Sequence, residues 1–430
     1  MFTLRSMFDL LKGNKDVDAY SSLRIREYKF YLTAMLLLTI ANQMQAVIIG
    51  WQIYYITHDP LSIGLVGLSE AVPYVLISLF AGHIADNYNR KKIVVSFVLV
   101  ALMASCILLS YTIYLHYHIS KMIWPIFLTV FFVGLSRGFV NPAYNAMAAQ
   151  IVPREQFTNA MTWRSSAWQL GAVTGPAIGG LIYGFFGPVV SYSVVVAFII
   201  TVFIFYMELK SRPVLVREKK DSLKQSLSAG IKFVFSQQVL LSAITLDLFA
   251  VLFGGAVAVL PFFAGDVLKV GPVGLGFLRA APFAGSILMG FWLAYNPPVR
   301  NSGKKLFISV TGFGLATLLF AISKNFYFSF FMLVLTGAFD NISVVIRATI
   351  LQLLTPESMR GRVSSVNYIF IGSSNEIGAF ESGLAAKIMG LVPSVIFGGC
   401  MTMLVVIVTY FKAPKMRKFE MHGLQVGVET

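Results

Sequence analysis

Long runs of apolar residues, each close to the length of a membrane-spanning helix, recur along the whole chain and constrain its fold more than any other feature. A hydrocarbon core about 30 Å thick needs roughly 20 residues of helix to cross it. The chain has 430 residues, of which 57% are hydrophobic and only 12% charged, so twelve spans with short loops would use most of its length. We therefore predict an all-α membrane protein whose main solvent is lipid.

The apolar runs divide into two groups of six, separated by a polar stretch. The first group predicts helices near 28–57, 61–85, 92–115, 121–149, 160–183 and 188–208. The second group predicts helices near 238–264, 273–295, 305–323, 326–354, 362–387 and 391–411. This division predicts a leader at 1–27, a six-helix bundle at 28–208, a linker at 209–237, a second six-helix bundle at 238–411 and a tail at 412–430.

Positive charge is distributed unevenly between the two sets of loops. Most of the 34 Lys and Arg residues fall in the leader, in the loops that follow even-numbered spans and in the tail, and only four fall in the opposite loops. Because basic loops stay in the cytoplasm, we predict a multi-pass protein of a bacterial inner membrane with both termini cytoplasmic. The first run has no small-residue cleavage site behind the basic leader, which predicts a retained helix. The same asymmetry accounts for the net charge of +15 without a nucleic-acid partner.

The linker at 209–237 combines basic residues with an apolar face at helical spacing. The residues of that face are Leu223, Leu227, Ile231 and Val234. Such a pattern is typical of an amphipathic helix that lies on a membrane surface. We expect membrane lipids to contact it.

An internal repeat relates the two halves. A shift of 203 residues aligns Gly134 with Gly337, Arg137 with Asp340, Pro153 with Pro356, Gly175 with Gly378 and Gly180 with Gly383. An even number of spans separates the halves, so the repeat is parallel, and such repeats enclose a substrate site at their interface near the bilayer midplane. We predict a pseudo-twofold arrangement with a cavity between the bundles.

A short polar loop joins the second and third predicted spans and reads GHIADNYNRKK. It resembles the signature loop of the major facilitator superfamily, in which an aspartate follows a glycine and precedes a basic turn. The resemblance implies that fold, and it implies a conformational latch between the halves formed by Gly82, Asp86 and Arg90. Asn87 and Asn89 depart from the family pattern, which prefers a basic residue and a glycine there. A plain stop-transfer cluster is the alternative interpretation.

The fifth predicted span contains a cluster of small residues in the string LGAVTGPAIGGLIYG. The cluster clears one helix face of side chains, so another backbone can approach closely. The string resembles the glycine–proline motif of the proton-coupled antiporter branches of the superfamily, which implies export; ordinary small-residue packing is the alternative. The strings LSEAVPY, LSRGF and FLRAAPFAG extend the likeness to the enterobactin-exporter and macrolide-efflux branch. The motif residues are Gly171, Gly175, Pro176, Gly179 and Gly180.

Ionisable residues fall inside several predicted spans, where each charge costs about 3 kcal/mol and needs a partner, water or a function. Glu70 and Asp247 lie deep in the second and seventh spans, and buried carboxyl groups can exchange protons near the working pH. Arg137 resembles a membrane-buried arginine that the superfamily associates with proton transfer. These three residues are candidates for proton coupling. For Glu70, a structural ion pair and direct substrate contact are the alternatives.

Asp340 is the fourth candidate for proton coupling and the repeat partner of Arg137. It shares a helix face with Ser343 and Arg347, at intervals of three and four residues. The spacing favours a local ion pair between Asp340 and Arg347 over two helical turns. We therefore expect Asp340 to have a structural partner on its own helix.

Polar side chains inside other spans are candidates for lining the cavity. Asn42, Gln45 and Gln52 form a polar stripe on the first span, which should face the cavity or a neighbouring helix because lipid would not tolerate it. Arg279 and Glu376 complete the set of cavity candidates. We leave open which of the intramembrane charges pair with one another.

The sequence has no motif of an enzyme. It has no nucleotide-binding loop, no HExxH and no GxSxG, and Cys106 and Cys400 stand alone in apolar runs. We predict no cofactor, no metal and a monomer. Our main hypothesis is proton-coupled export of a small amphipathic molecule, such as a siderophore or drug, by alternating access. Transport of lipid, lysolipid or a nutrient on the same fold, and a non-transporting scaffold or sensor, are the alternatives.

Overall fold

The computed structural model describes residues 18–117, 122–212 and 223–421, and in this part of the chain the regular structure is entirely helical. Twelve helices of at least 14 residues form its framework. They are α1 Arg26–Thr57, α2 Pro60–Asn87, α3 Arg90–Tyr117, α4 Trp124–Ile151, α5 Phe157–Glu208, α6 Leu223–Ser236, α7 Gln238–Gly254, α8 Gly271–Tyr295, α9 Ser302–Ile322, α10 Phe326–Leu354, α11 Arg360–Met389 and α12 Leu391–Lys412.

The longest helix, α5, contains a reversal of the chain. Gly187 has a φ of 79° inside it, a left-handed conformation that favours glycine, and Pro188 follows. The two arms on either side return to the same end of α1. Tyr28 donates a hydrogen bond of 2.5 Å to the carbonyl oxygen of Ala160 on the first arm, and Phe205 on the second arm packs on Phe30. The two predicted spans 160–183 and 188–208 are therefore the two arms of α5.

The seventh predicted span, 238–264, is shorter as a continuous helix than the apolar run suggests. α7 ends at Gly254, and the chain resumes as a helical turn at Leu260–Phe262 and a π-helical turn at Phe263–Val267. The prediction of one unbroken helix was wrong here. The helix ends at two adjacent glycines, Gly254 and Gly255, because glycine is among the weakest helix formers. The run of apolar residues continues past this point, so apolar spacing alone does not reveal the break.

Nine helices within the described ranges are long and apolar enough to cross a membrane, or ten if the bent pair Ser228–Ser236 and Gln238–Gly254 is one span. α5 is counted once in spite of its reversal, and α11, which carries many polar residues, is not among the nine. The twelve-span count therefore stays a prediction. The prediction of an all-α membrane protein is confirmed.

The helices pack as two bundles whose close contacts repeat. Gly134 of α4 touches α2 so closely that an added Cβ would meet the backbone carbonyl of Glu70. Gly337 of α10, its repeat partner, touches α8 in the same way at the carbonyl of Pro282. The aligned glycines thus have the same role in both halves. Each lets the fourth helix of its bundle, α4 or α10, pack closely against the second, α2 or α8.

The two bundles meet along two pairs of helices, α5 with α8 and α2 with α11. A Cβ on Gly180 would lie 2.6 Å from the carbonyl oxygen of Pro272 on α8, and one on Gly383 would lie 2.8 Å from the carbonyl oxygen of Pro60 on α2. Both contacts lie at the end of the protein where α1 finishes and α2 begins, which we call the closed end. The opposite end, where α1 begins, is called the Arg26 end.

Candidate functional site

A cavity of about 150 Å³ lies between the two bundles. Helices α1, α2 and α4 of the first bundle line it, together with α8, α11 and the irregular segment after α7. Most of its wall is apolar, with Glu70 and Arg279 as its two ionisable residues. The lining residues are Ala46, Ile49, Gly50, Ile53, Ile63, Val66, Gly67, Glu70, Val130, Ala258, Pro261, Arg279 and Ala379.

Glu70 of α2 forms an ion pair with Arg137 of α4 at the wall of this cavity. The Glu70 side chain is 24% exposed and that of Arg137 is 42% exposed, so the pair is accessible rather than sealed in a core. The Arg137 guanidinium also lies 5.6 Å from the centre of the Tyr74 ring, within range of a cation–π interaction. Gly134 makes this arrangement possible because it brings the two helices together one turn away. Two of the four predicted proton-coupling residues therefore touch each other.

Arg279 reaches the cavity from the second bundle. Its Nη1 donates a hydrogen bond of 3.1 Å to the carbonyl oxygen of Ala46 on α1, so the side chain bridges the two halves. Gly50, one turn further along α1, lies beside the same side chain, and a Cβ there would be 3.7 Å from the Nη1, an ordinary van der Waals distance. Arg279, one of the cavity candidates, thus lies in the cavity lining.

Asp247 and Asp340 lie elsewhere, in a small pocket within the second bundle. Asp247 of α7 forms an ion pair with Arg347 of α10, and the two side chains are only 7% and 9% exposed. The expected pair between Asp340 and Arg347 was wrong: Arg347 turns toward α7, and its Nε donates to the hydroxyl of Ser343 at 3.2 Å. Asp247 on the adjacent helix meets the guanidinium directly, whereas no ion pair joins Asp340 to Arg347 among the described residues.

Two residues of the polar stripe of α1, Gln45 and Gln52, form hydrogen bonds with neighbouring helices and are not among the residues that line the cavity. Gln45 accepts a hydrogen bond of 2.9 Å from Ser105 of α3, and Gln52 donates to Thr112 at 3.2 Å while accepting from Tyr192 at 2.8 Å. Both glutamines are about 95% buried.

Of the two placements that the sequence left open, the cavity and a neighbouring helix, Gln45 and Gln52 take the second. A buried amide needs several partners, and hydroxyls on α3 and α5 supply them. Asn42, the third residue of the stripe, is partly buried.

The glycine–proline cluster serves two contacts at once. Gly171, Gly175 and Gly179 lie against α1, where added Cβ atoms would meet Thr39, Gln43 and Met44. Gly180 faces α8 of the other bundle, and the Pro176 carbonyl lies against Gly276 there. The cluster therefore joins the fifth-span helix to its own bundle on one face and to the second bundle on the other.

The predicted latch is described only in part. Of its residues, the surroundings of Gly82 and Asp86 lie outside what the structure describes, as does the side chain of the cavity candidate Glu376, and Arg90 is the first residue of α3. Asn89 precedes it and caps α3, because its Oδ1 accepts from the Lys92 backbone N–H at 3.2 Å. Its Nδ2 donates to Ser211 at 2.6 Å. Asn89, at a position where the family prefers glycine, therefore holds the start of the linker against the start of α3.

Two polar links at the closed end were missed by sequence reasoning. Tyr54 of α1 donates a hydrogen bond of 2.6 Å to Asp266, which lies in the π-helical turn. Asp59, just before α2, lies 3.4 Å from Lys387 of α11. Each link joins the two bundles. The signal available in the sequence was the position of these charges beside loops, which does not say what they face.

Comparison with known proteins agrees with this architecture. Enterobactin exporter EntS of Shigella flexneri is 25% identical over 380 residues, covering 87% of this chain and 88% of the relative. An uncharacterized MFS-type transporter, YfmI of Bacillus subtilis, is 25% identical over 285 residues, covering 61% of this chain and 68% of the relative.

Solved structures of transporters share the fold. The nucleoside transporter NupG matches with a TM-score of 0.70 at 13% identity, covering 92% of this chain and all of that one. An inward-facing, unoccupied bacterial homologue of the human lysosomal transporter Spinster matches with a TM-score of 0.66 at 15% identity, covering 91% of this chain and 96% of that one. At these identities the likeness concerns the fold alone.

The comparisons also assign a family. A family model described as "Transmembrane secretion effector", of MFS type, matches residues 17–426, which is nearly the whole chain. Its relatives and structural neighbours are membrane transporters and not enzymes. The chain therefore belongs to the transmembrane secretion effector family of the major facilitator superfamily and is a multi-pass membrane transporter.

Proposed function

We propose that this transporter exports a small amphipathic molecule from the cytoplasm in exchange for protons, by alternating access of the cavity between its two bundles. The observation that carries the proposal is the Glu70–Arg137 ion pair at the wall of that cavity. A partly exposed carboxylate that is held by one cation can lose that partner when it takes up a proton, and a substrate in the cavity can reach the same carboxylate.

The cavity wall supports an amphipathic substrate. Its lining is mostly Ala, Gly, Ile, Val and Pro, which suit an apolar body, while Glu70 and Arg279 supply two polar anchors from opposite bundles. A molecule that touches both anchors touches both halves, so its binding can favour one relative position of the bundles over another.

Direction is supported by the arrangement of the two ends. The links Tyr54–Asp266 and Asp59–Lys387 and the glycine contacts Gly180–Pro272 and Gly383–Pro60 all join the bundles at the closed end. The charge asymmetry of the loops predicts that this end faces the outside of a bacterial inner membrane. Contacts that join the bundles on that side favour loading from the cytoplasm in this conformation. The relative named as an enterobactin exporter is consistent with this direction.

Proteoliposomes loaded at one pH and diluted into another test the proposal. Purified protein should drive a fluorescent amphiphile up its concentration gradient only while a pH gradient exists, and a protonophore should abolish the accumulation. Accumulation in the compartment of lower pH is expected for antiport. Movement of a fluorescent lipid without any effect of pH would support the lipid-transporting alternative, and accumulation in the opposite compartment would support import.

A further inference from the structure

Helix α6 lies flat against one end of the protein. Its segment Ser228–Ser236 makes an angle of 103° with α7, which begins two residues later at Gln238. Because α7 enters the membrane, a helix bent from it by about a right angle runs along the membrane surface. This geometry belongs to the Arg26 end, where α7 begins.

One edge of α6 is fixed to the second bundle. A Cβ on Gly230 would lie 2.8 Å from the carbonyl oxygen of Arg362 on α11, so glycine is needed for the approach. Val234, one turn later, is only 1% exposed and belongs to the buried core of that bundle. The helix is therefore a docked part of the protein.

The neighbouring edge of α6 is apolar and uncovered. Ile231 is 39% exposed and Phe235 is 60% exposed, and the two are four residues apart on one face. Lys232 is exposed beside them. Apolar side chains at the level of lipid headgroups, with a lysine next to them, are typical of helices that insert one face into the bilayer interface.

Basic residues from two other segments gather at the same end. Gln238, at the start of α7, donates a hydrogen bond of 3.1 Å to the carbonyl oxygen of Lys412 at the end of α12, which brings Lys412 and the exposed Lys415 to this side. Arg360, which lies 3.3 Å from Glu357, is exposed at the start of α11. Among the described residues of the second bundle at this end, the acids are Glu357 and Glu420, so the surface is strongly basic.

We propose that α6 and the basic residues around it form a binding surface for anionic phospholipid in the leaflet at the Arg26 end. The apolar edge would enter the acyl region while the lysines contact headgroup phosphates. Charge alone would also suit an acidic protein. The uncovered Ile231 and Phe235, on a helix parallel to the membrane, favour the bilayer.

The surface is positioned to influence transport. α6 contacts the beginning of α11 at Arg362, and α11 is one of the two helices of its bundle that meet the other bundle, at Gly383 and Lys387. Bound lipid would stabilise the position of this end of α11. The inference concerns lipid binding and does not depend on which molecule is exported.

Lipid retention by the full-length purified protein tests the proposal directly. Delipidated protein is mixed with phosphatidylglycerol and phosphatidylcholine of the same acyl chains, and native mass spectrometry counts each lipid bound. The wild type should prefer phosphatidylglycerol. The double variant Lys232→Gln/Lys412→Gln should lower that preference roughly tenfold. Phe235→Ser should weaken retention while leaving the charge unchanged.

The matched control removes the same charge at the closed end. Lys269 and Lys324 are exposed there, so Lys269→Gln/Lys324→Gln should keep the wild-type preference. Equal retention of the two lipids by the wild type would overturn the proposal, as would equal losses in both double variants. A third outcome would also overturn it: the Lys232→Gln change abolishes tight binding of a polyglutamate peptide but does not alter lipid retention. That result would assign the surface to an acidic protein. No gradient or substrate is used, so these outcomes are independent of the export proposal.

Discussion

The Glu70 carboxylate of α2, at the wall of the cavity between the bundles, is held by the Arg137 guanidinium of α4, and both side chains are partly exposed. The pair differs from the Asp247–Arg347 pair of the second bundle, whose side chains are more than nine-tenths buried. An accessible pair can exchange partners during a transport cycle, whereas a sealed pair mainly fixes the packing of its helices. This difference leads to opposite expectations for the two acids.

Replacing Glu70 by Gln should abolish transport while leaving the fold intact. The amide keeps the size and a hydrogen-bond acceptor for Arg137 but cannot take up or release a proton. We expect flux driven by a pH gradient to fall to the level of empty liposomes, with unchanged behaviour on size-exclusion chromatography. Glu357→Gln, at a side chain that is 88% exposed, is the control and should transport normally. Full flux in Glu70→Gln would remove Glu70 from the coupling mechanism.

Replacing Asp247 by Asn should lower the free energy of unfolding by about 3–5 kcal/mol, because it leaves the Arg347 guanidinium buried without a counter-charge. The measurement is thermal unfolding of the purified protein. Adding Arg347→Met to Asp247→Asn removes the stranded charge and should recover part of the loss. If Asp247→Asn is no less stable than Glu357→Gln, the pair does not stabilise the second bundle.

The close contact of α2 with α4 should tolerate no side chain at Gly134. Gly134→Ala places a Cβ against the Glu70 carbonyl and must push the helices apart, so we expect lower thermal stability and a disturbed Glu70–Arg137 pair. The control is Gly361→Ala on α11, where nothing lies within 4 Å of an added Cβ. That change should be neutral or stabilising by up to about 1 kcal/mol, because alanine favours helix more than glycine. Equal melting temperatures in the two variants would contradict the packing described for α4.

These contacts mark the limit of what the sequence could predict. The spacing of apolar runs and the offset of 203 residues were enough for the two bundles and for the equivalent glycines Gly134 and Gly337. Depth in a span predicted that Glu70 and Asp247 both lie far from the helix ends, but it did not predict that only Glu70 lines the cavity between the bundles. Periodicity along the chain carries this information, because it reports how far a residue lies into a helix.

Partner choice could not be predicted, because it depends on how each helix is rotated about its axis. Arg347 has Asp340 on its own helix and Asp247 on α7 within reach, and only the packing of α7 against α10 decides between them. Gln52 lies on the polar stripe that could have lined the cavity, yet Thr112 and Tyr192 turn it inward. The break at Gly254 was likewise hidden by an apolar run that continues past it.

Removing the polar links at the closed end should favour its opening. Tyr54→Phe removes the hydrogen bond to Asp266, and Asp59→Asn removes the ion pair with Lys387. The double variant nearly keeps the side-chain volumes. Spin labels at positions 186 and 388, exposed on opposite bundles at this end, should report longer distances by double electron–electron resonance. Asn89→Ala, which acts at the Arg26 end, should leave the distribution unchanged. Identical distributions in wild type and the double variant would mean that the links do not hold the end closed.

Proton movement during substrate flux tests the exchange mechanism most directly. Proteoliposomes with a pH-sensitive dye in the lumen, in weak buffer and at equal starting pH, are given an amphiphilic substrate from outside. If the protein exchanges substrate for protons, substrate entry should make the lumen more alkaline, and Glu70→Gln should give no pH change. Substrate entry by the wild type with an unchanged or more acidic lumen would contradict proton antiport.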